Sequence, residues 1–247
     1  MAYVREAHDQ GAPTVAIVND ANSPLASVSD HVLECLAGPE LSIPATKTVT
    51  AQMTLLAQLS VSLDDPTRHM RHLEALPSAV QMALDRRSDA ASLAGRLAGT
   101  RLGSVIGRGF AFPPALEIAL KLKETSYTRA EPFSAADFLH GPVALVEAGY
   151  AALLVDVGGR SSQSAAEIAT AIVQRGGQPA VLRVGEVSPP GGFAGDVPNV
   201  VAPAVLLEPY APIVALVLGQ LVAIELALAI GVDPARPRGL HKVTSTR

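Results

Sequence analysis

The sequence predicts an α/β protein of doubly wound parallel sheets with flanking helices, in two units: a first with too few strands to be complete and a second that is complete. Three observations predict it. Short apolar runs alternate with longer stretches at helical spacing, joined by short loops, which is the pattern of βαβ units. Nearly half of the residues are apolar and only 4% are aromatic. The core must then be built from Ala, Val, Leu and Ile, which suits helices packed on parallel sheet. Finally, 247 residues are enough for one large or two ordinary domains.

In chain order, Met1 to Gln10 reads as the end of a helix, closed by Gly11 in the position after the cap. Thr14 to Val18 is a strand, Asn19 to Pro24 a turn, and His31 to Leu36 a second strand. The loop Ala37-Gly38-Pro39-Glu40 leads to a helix from near Pro44 to about Ser60. Two strands cannot form a doubly covered sheet, so this unit is short of elements. Asp64-Asp65-Pro66 stops the helix. His69–Leu84 and Ser88–Leu97 read as two linking helices. His69 and His72 lie at i and i+3, but cations flank them and no carboxylate converges, so no metal site is expected.

The second half holds strands at Ser104–Ile106, Ala151–Val155, Ala180–Arg183 and Asn199–Val201. Its helices are Ala115–Tyr127, a short one around Ala135–Leu139, Ser164–Gln174 and Pro212–Ile230. The division expected is 1–88 for the partial first unit and connecting helices, 89–235 for the second unit, and 236–247 for a tail. Two similar halves suggest an internal duplication, although no repeat is visible. Gly158-Gly159-Arg160-Ser161-Ser162 follows a strand and precedes a helix. An anion site could form there, but a βα turn with a serine N-cap is the simpler reading.

Composition excludes several classes. The formal net charge of −4 and the absence of a basic block argue against nucleic acid and anionic membrane partners. One cysteine, Cys35, excludes a disulfide framework within the chain. Ala211 to Gly231 is apolar over a bilayer's width, but Gln220 and Glu225 would be costly in lipid. A buried helix of a soluble core or subunit interface is expected instead. With no signal peptide at the start, the expected location is the cytoplasm.

The chemistry concentrates between Ser104 and Val146. A short apolar run breaks at Gly107-Arg108-Gly109, and Pro113-Pro114 stand where a helix begins, a position that tolerates the missing N–H. At roughly 100° per residue, Glu117, Lys121 and Glu124 fall within about 60° of one another on that helix. A solvent face with an i,i+4 ion pair gives the same pattern. The stripe nevertheless starts just past a strand's end, where open α/β sheets bind ligands. His140-Gly141-Pro142 follows. Acid, amine, acid and a nearby histidine are what proton transfer beside a carbonyl requires.

These residues carry a resemblance. G-R-G-x(3)-P-x-A-L-E-x-A-L-K-L-K-E-x-S-Y from Gly107 to Tyr127, Ala130-Glu131, and L-H-G-P ending at Pro142 resemble the sugar isomerase (SIS) family. The similar branch holds the isomerase domain of glucosamine-6-phosphate synthase and its phosphosugar isomerase and deaminase relatives. Ala37-Gly38-Pro39-Glu40, Pro44-Ala45-Thr46-Lys47 and the tail Pro237-Arg238-Gly239-Leu240-His241-Lys242 agree with it, in the family's order. The resemblance implies SIS-type sheets and a phosphorylated sugar as ligand, a hexose or hexosamine 6-phosphate. It implies Glu124 as the proton-shuttling base, Lys121 one turn before it, and Glu117 as an orienting partner for Lys121. His140 matches a ring-opening histidine that relatives take from the neighbouring subunit, hence an expected homodimer. Lys242 matches a tail lysine that engages the open-chain carbonyl. The loop from Ile43 through Ala45 to Thr46 matches a backbone wall of the sugar pocket. No metal or organic cofactor is implied, because the transfer runs on side chains.

Two features depart from the family. The Ser/Thr/Gly-rich loop that cradles the sugar phosphate in relatives would precede Gly11, and the chain starts inside the helix that follows it. A wrong start site, a partner chain or a shortened protein would each account for this. Position 2 is Ala2 rather than a nucleophilic cysteine, so ammonia from glutamine is not expected from this chain alone. The expected function is an aldose–ketose isomerase or deaminase of (amino)hexose 6-phosphates. The alternative is a non-catalytic sugar-phosphate-binding or regulatory protein.

Overall fold

Two parallel sheets carry the strands, and one apolar helix holds the larger sheet and the connecting helices together. The structure is a computed structural model and describes residues 1–64, 66–159, 161–186 and 197–242. After α1 (Ala2–Asp9), the strands β1 (Val15–Val18) and β2 (His31–Glu34) pair in parallel, Val15 opposite His31 and Val18 opposite Glu34. A reciprocal pair of bonds fixes that register. The Thr14 amide and hydroxyl donate to Asp30 at 2.9 and 2.7 Å, and the Asp30 amide donates to the Thr14 hydroxyl at 2.9 Å. These bonds favour the anion and hold the Asp30 carboxyl below the usual range. Cys35, just past β2, is half-buried rather than a core residue, and burial pushes its thiol up.

The helices α2 (Lys47–Leu63), α3 (Pro66–Leu84) and α4 (Arg87–Leu97) follow. The expected limits are close, except that α2 starts three residues after Pro44, at the point where the preceding loop is tied down. His72 of α3 stacks on Tyr210, with ring centres 5.6 Å apart. Burial pushes its imidazole toward the neutral form.

The second sheet has the order β4-β3-β5-β6-β7, all parallel. Its elements are β3 (Arg101–Gly107), α5 (Phe112–Ser126), β4 (Glu131–Ser134), α6 (Ala135–Leu139), β5 (Tyr150–Asp156), α7 (Ser161–Gln174), β6 (Gln178–Val184), β7 (Asn199–Ala202) and α8 (Ala211–Ala229). The first strand lies between β4 and β5, so the winding reverses there, the switch point at which such sheets bind ligands. The strand β4 escapes sequence reading: Glu-Pro-Phe-Ser contains a proline, which sheets confine to edges, strand starts and bulges, and β4 is an edge. Every residue of β5 is buried, as a strand covered on both faces must be. Val105, Leu153, Val155 and Leu182 face α5 and α8, while Ile106, Leu154 and Val181 face α6 and α7.

Among the described residues, α8 is the helix long and apolar enough to span a bilayer. It is buried without a break from Ala211 to Ala223, packed against α3, α4 and α5. A helix apolar on all sides needs such enclosure, and here protein supplies it.

Candidate active site

The site grows from the helix that leaves the sheet at its switch point. Gly107 closes β3, where a Cβ would run into the Ala111 carbonyl. Only glycine lets the chain turn this tightly into α5. Pro113 and Pro114 occupy the first turn as expected.

One face of α5 is charged but not solvent-exposed. Lys121 is 4% exposed. Its ammonium pairs with Glu117, one turn earlier, at 3.4 Å, and donates to Glu124, nearly one turn later. Burial raises the Glu117 carboxyl above the ordinary range and the Glu124 charge adds to this, while Lys121 opposes it. Glu117 therefore holds a proton more readily than an ordinary glutamate. The Thr125 hydroxyl donates to the Lys121 carbonyl at 2.8 Å.

Opposite this face lies the loop before α2. Its shape comes from Glu40, whose carboxylate accepts the Thr48 amide at 2.9 Å, the Thr48 hydroxyl at 2.8 Å and the Thr46 hydroxyl at 3.3 Å. Burial alone would raise this carboxyl, but those bonds outweigh it and hold it below the usual range. A carboxylate at a helix start also meets the positive end of the helix dipole. Asn19, at the end of β1, accepts the Ala37 amide at 2.9 Å and donates to the Gly38 carbonyl at 2.8 Å. From below, Gln220 of α8 donates to the Thr46 carbonyl at 3.3 Å.

Between loop and helix is a cavity of about 170 Å3, walled by Ser42, Pro44 and Thr46 on one side, Lys121 and Thr125 on another, and Gln220 beneath. The tail closes one edge. The Ala235 carbonyl accepts the Ile43 amide at 3.3 Å, and the Lys242 ammonium donates to the Ser42 carbonyl.

Of the residues singled out from sequence, Lys121 and Thr46 line this cavity, and Glu117 and Glu124 bond to Lys121. Ile43 and Ala45 are half-buried in the loop wall, and Lys242 reaches the rim across 200 residues of chain. His140 does not join them: it caps the end of α6 and is exposed. Lys123, on the other face of α5, pairs with Glu131 at 3.4 Å. Sequence reading missed the part of Gln220, Thr125 and Ser42 in the cavity. Gln220 had a signal, a lone amide deep in an apolar run; the other two had none.

The glycine-rich turn after β5 is organised from within. Asp156 is fully buried, meets Arg183 at 2.5 Å, and accepts the Gly158 amide at 2.9 Å and the Ser162 hydroxyl at 2.7 Å. Ser162 thus answers to Asp156. Arg160 lies outside the described residues.

Comparison with known proteins accords with this geometry. The SIS domain matches residues 1–62 and 104–189. The chain is 32% identical over 248 residues to a glutamine–fructose-6-phosphate aminotransferase (isomerizing) of Pyrobaculum aerophilum, covering 98% of this chain and 40% of the relative. It is 34% identical over 258 residues to the protein of that name from Thermococcus kodakarensis, covering 98% and 41%. The chain therefore spans about two fifths of the length of these relatives. Among solved structures, the C-terminal domain of glucosamine-fructose-6-phosphate aminotransferase from Francisella tularensis superposes with a TM-score of 0.84 at 25% identity, over 95% of this chain and 69% of that one. A glucosamine-6-phosphate deaminase from Thermotoga maritima shares the fold at a TM-score of 0.68 and 22% identity, over 96% of this chain and 69% of that one. With the domain match, the identity across nearly the whole chain and the doubly wound parallel sheet in agreement, the chain belongs to the SIS domain family.

Proposed function

We propose that this chain carries the acid–base part of a site that moves a proton between C1 and C2 of a hexose or hexosamine 6-phosphate, as an aldose–ketose isomerase or deaminase. The observation that carries the reading is the buried Lys121 ammonium, held between Glu117 and Glu124 in the wall of a cavity. A charged group seldom stays buried without paired partners, and a cation fixed beside a base in a cleft suits a reaction whose intermediate is an enediolate. In this reading Glu124 takes the proton, Lys121 faces the developing oxyanion and Glu117 orients Lys121. The main chain from Ile43 through Ala45 to Thr46 borders the sugar, and Lys242 meets its carbonyl. His140 acts in the site of a second copy within a homodimer. Its exposure at the end of α6 is what a residue offered to a neighbour requires. The reaction is a cytoplasmic one that uses side chains throughout. The units divide near residue 88, and the tail begins near residue 236.

The test is proton exchange rather than net turnover. The chain is incubated in D2O with fructose 6-phosphate or glucosamine 6-phosphate, with binding followed by calorimetry and deuterium at C1 and C2 by NMR. Incorporation is expected. A folded chain that binds these sugars without exchange would support the non-catalytic reading, and one that binds neither would remove the sugar-phosphate assignment altogether.

A further inference from the structure

Beyond the cavity, the acid–base helix ends in an unusual residue. Tyr127 caps α5 with φ 57° and ψ 19°, a left-handed conformation, and donates its amide to the Leu122 carbonyl. Glycine is the common choice at this position, and a bulky side chain there is an outlier that calls for a reason. The reason lies 111 residues away. The Arg238 amide donates to the Tyr127 phenolic oxygen at 2.8 Å, and the Arg238 guanidinium sits over the Tyr127 ring, 4.2 Å from its centre. One side chain thus grips the tail twice, through a main-chain bond and a cation–π contact. Pro237, just before this point, is buried, and Gly239, just after it, has φ +73°. That left-handed glycine turns the chain so that Lys242 comes back to the Ser42 carbonyl.

We propose that Tyr127 is a positioning residue that clamps the tail to the end of the acid–base helix and thereby holds Lys242 at the rim of the Lys121 cavity. The catalytic meaning of Lys242 rests on the function proposed above; the clamp itself does not. The reach of the chain gives the size of the effect. Held at Arg238, Lys242 lies four residues from its anchor, within about 14 Å at full extension. Released together with Pro237 beside it, the tail is next held by the Ala235 carbonyl on Ile43, which widens the reach to about 25 Å. The accessible volume grows by about fivefold, and the local concentration of the Lys242 ammonium at the rim falls by the same factor.

The test uses the full chain. Lys242 is pulse-labelled with an amine-reactive ester against Lys123 as internal reference, and hydrogen exchange is followed at the Arg238 amide. Tyr127→Gly keeps the preferred helix cap while deleting the grip, so misfolding does not confound it; thermal melting checks this. The expected result is about fivefold faster labelling of Lys242 relative to Lys123, with faster exchange at Arg238. Tyr127→Phe, which retains the ring and loses the acceptor, should fall between wild type and Tyr127→Gly. Arg238→Ala, which loses the cation–π contact and keeps the main-chain bond, should also fall between, and combined with Tyr127→Gly it should add little to Tyr127→Gly alone, because that variant already removes both contacts. Unchanged Lys242 labelling and Arg238 exchange in folded Tyr127→Gly overturn the clamp, whether or not the wild type acts on sugars. In a chain that does act, a fall in kcat at steady KM supports the positioning role, and an unchanged kcat overturns it while leaving the function proposed above intact.

Discussion

Gln220, in the middle of the most apolar helix of the chain, donates its side-chain amide to the main-chain carbonyl of Thr46. A residue that reads as an interruption in an apolar run is thus the contact between α8 and the loop that walls the cavity. The same carbonyl accepts the Thr50 amide in the first turn of α2.

Replacing Gln220 by Leu should therefore loosen the start of α2 more than the core around it. The lost bond to a half-buried carbonyl is worth about 1 kcal/mol, and the apolar surroundings accept leucine. The expected result is a small loss in denaturation free energy with faster hydrogen exchange confined to residues 46–50. Uniform exchange across α8 would point instead to damage of the core.

Gly219, next to it, sets how closely α8 approaches α5. A Cβ added there would collide with the Ile118 side chain, which is fully buried. Gly219→Ala should cost about 1–3 kcal/mol, the usual penalty for overpacking a tight core. Ile118→Val in the same chain should recover part of it. Chemical denaturation of the single and double variants measures both.

Glu124→Gln should lower C1–C2 proton exchange by at least about a hundredfold, since a positioned base contributes 10²–10⁴-fold. Folding should survive, because Lys121 retains Glu117 at 3.4 Å. Deuterium incorporation and thermal melting report the two effects separately, and retained exchange would remove Glu124 as the base.

Two glutamates give opposite pH dependences. Glu40 has a lowered pKa in the folded protein. Its contribution is present above the ordinary glutamate pKa and is lost as pH falls through its depressed folded value. Glu117 has a raised pKa. The folded state binds its proton more tightly, so stability falls as pH rises from the ordinary glutamate pKa through the raised folded value. Denaturation measured across the acid range should show both slopes. Glu40→Gln should remove the loss at the acid end, and Glu117→Gln the decline above it.

Elements whose signal is local are legible in the chain alone. The spacing of Glu117, Lys121 and Glu124 placed three charges on one face of α5, and the paired prolines marked where that helix begins. The unbroken apolar run from Ala211 specified a helix that must be enclosed on all sides, and the alternation of strands and helices specified the doubly wound sheet. What those signals do depends on packing. A charged stripe reads alike on a solvent face and in a cleft; the fold of α5 against α8 leaves Lys121 4% exposed and sets it in the wall of a cavity. The edge strand β4 was hidden by Pro132, a residue that reads against a strand but that an edge accepts. Lys242 meets Ser42 across 200 residues and Tyr127 meets Arg238 across 111. Periodicity reports on neighbours within a few turns, and contacts of that separation exist only once the sheet, α8 and the tail have folded against one another.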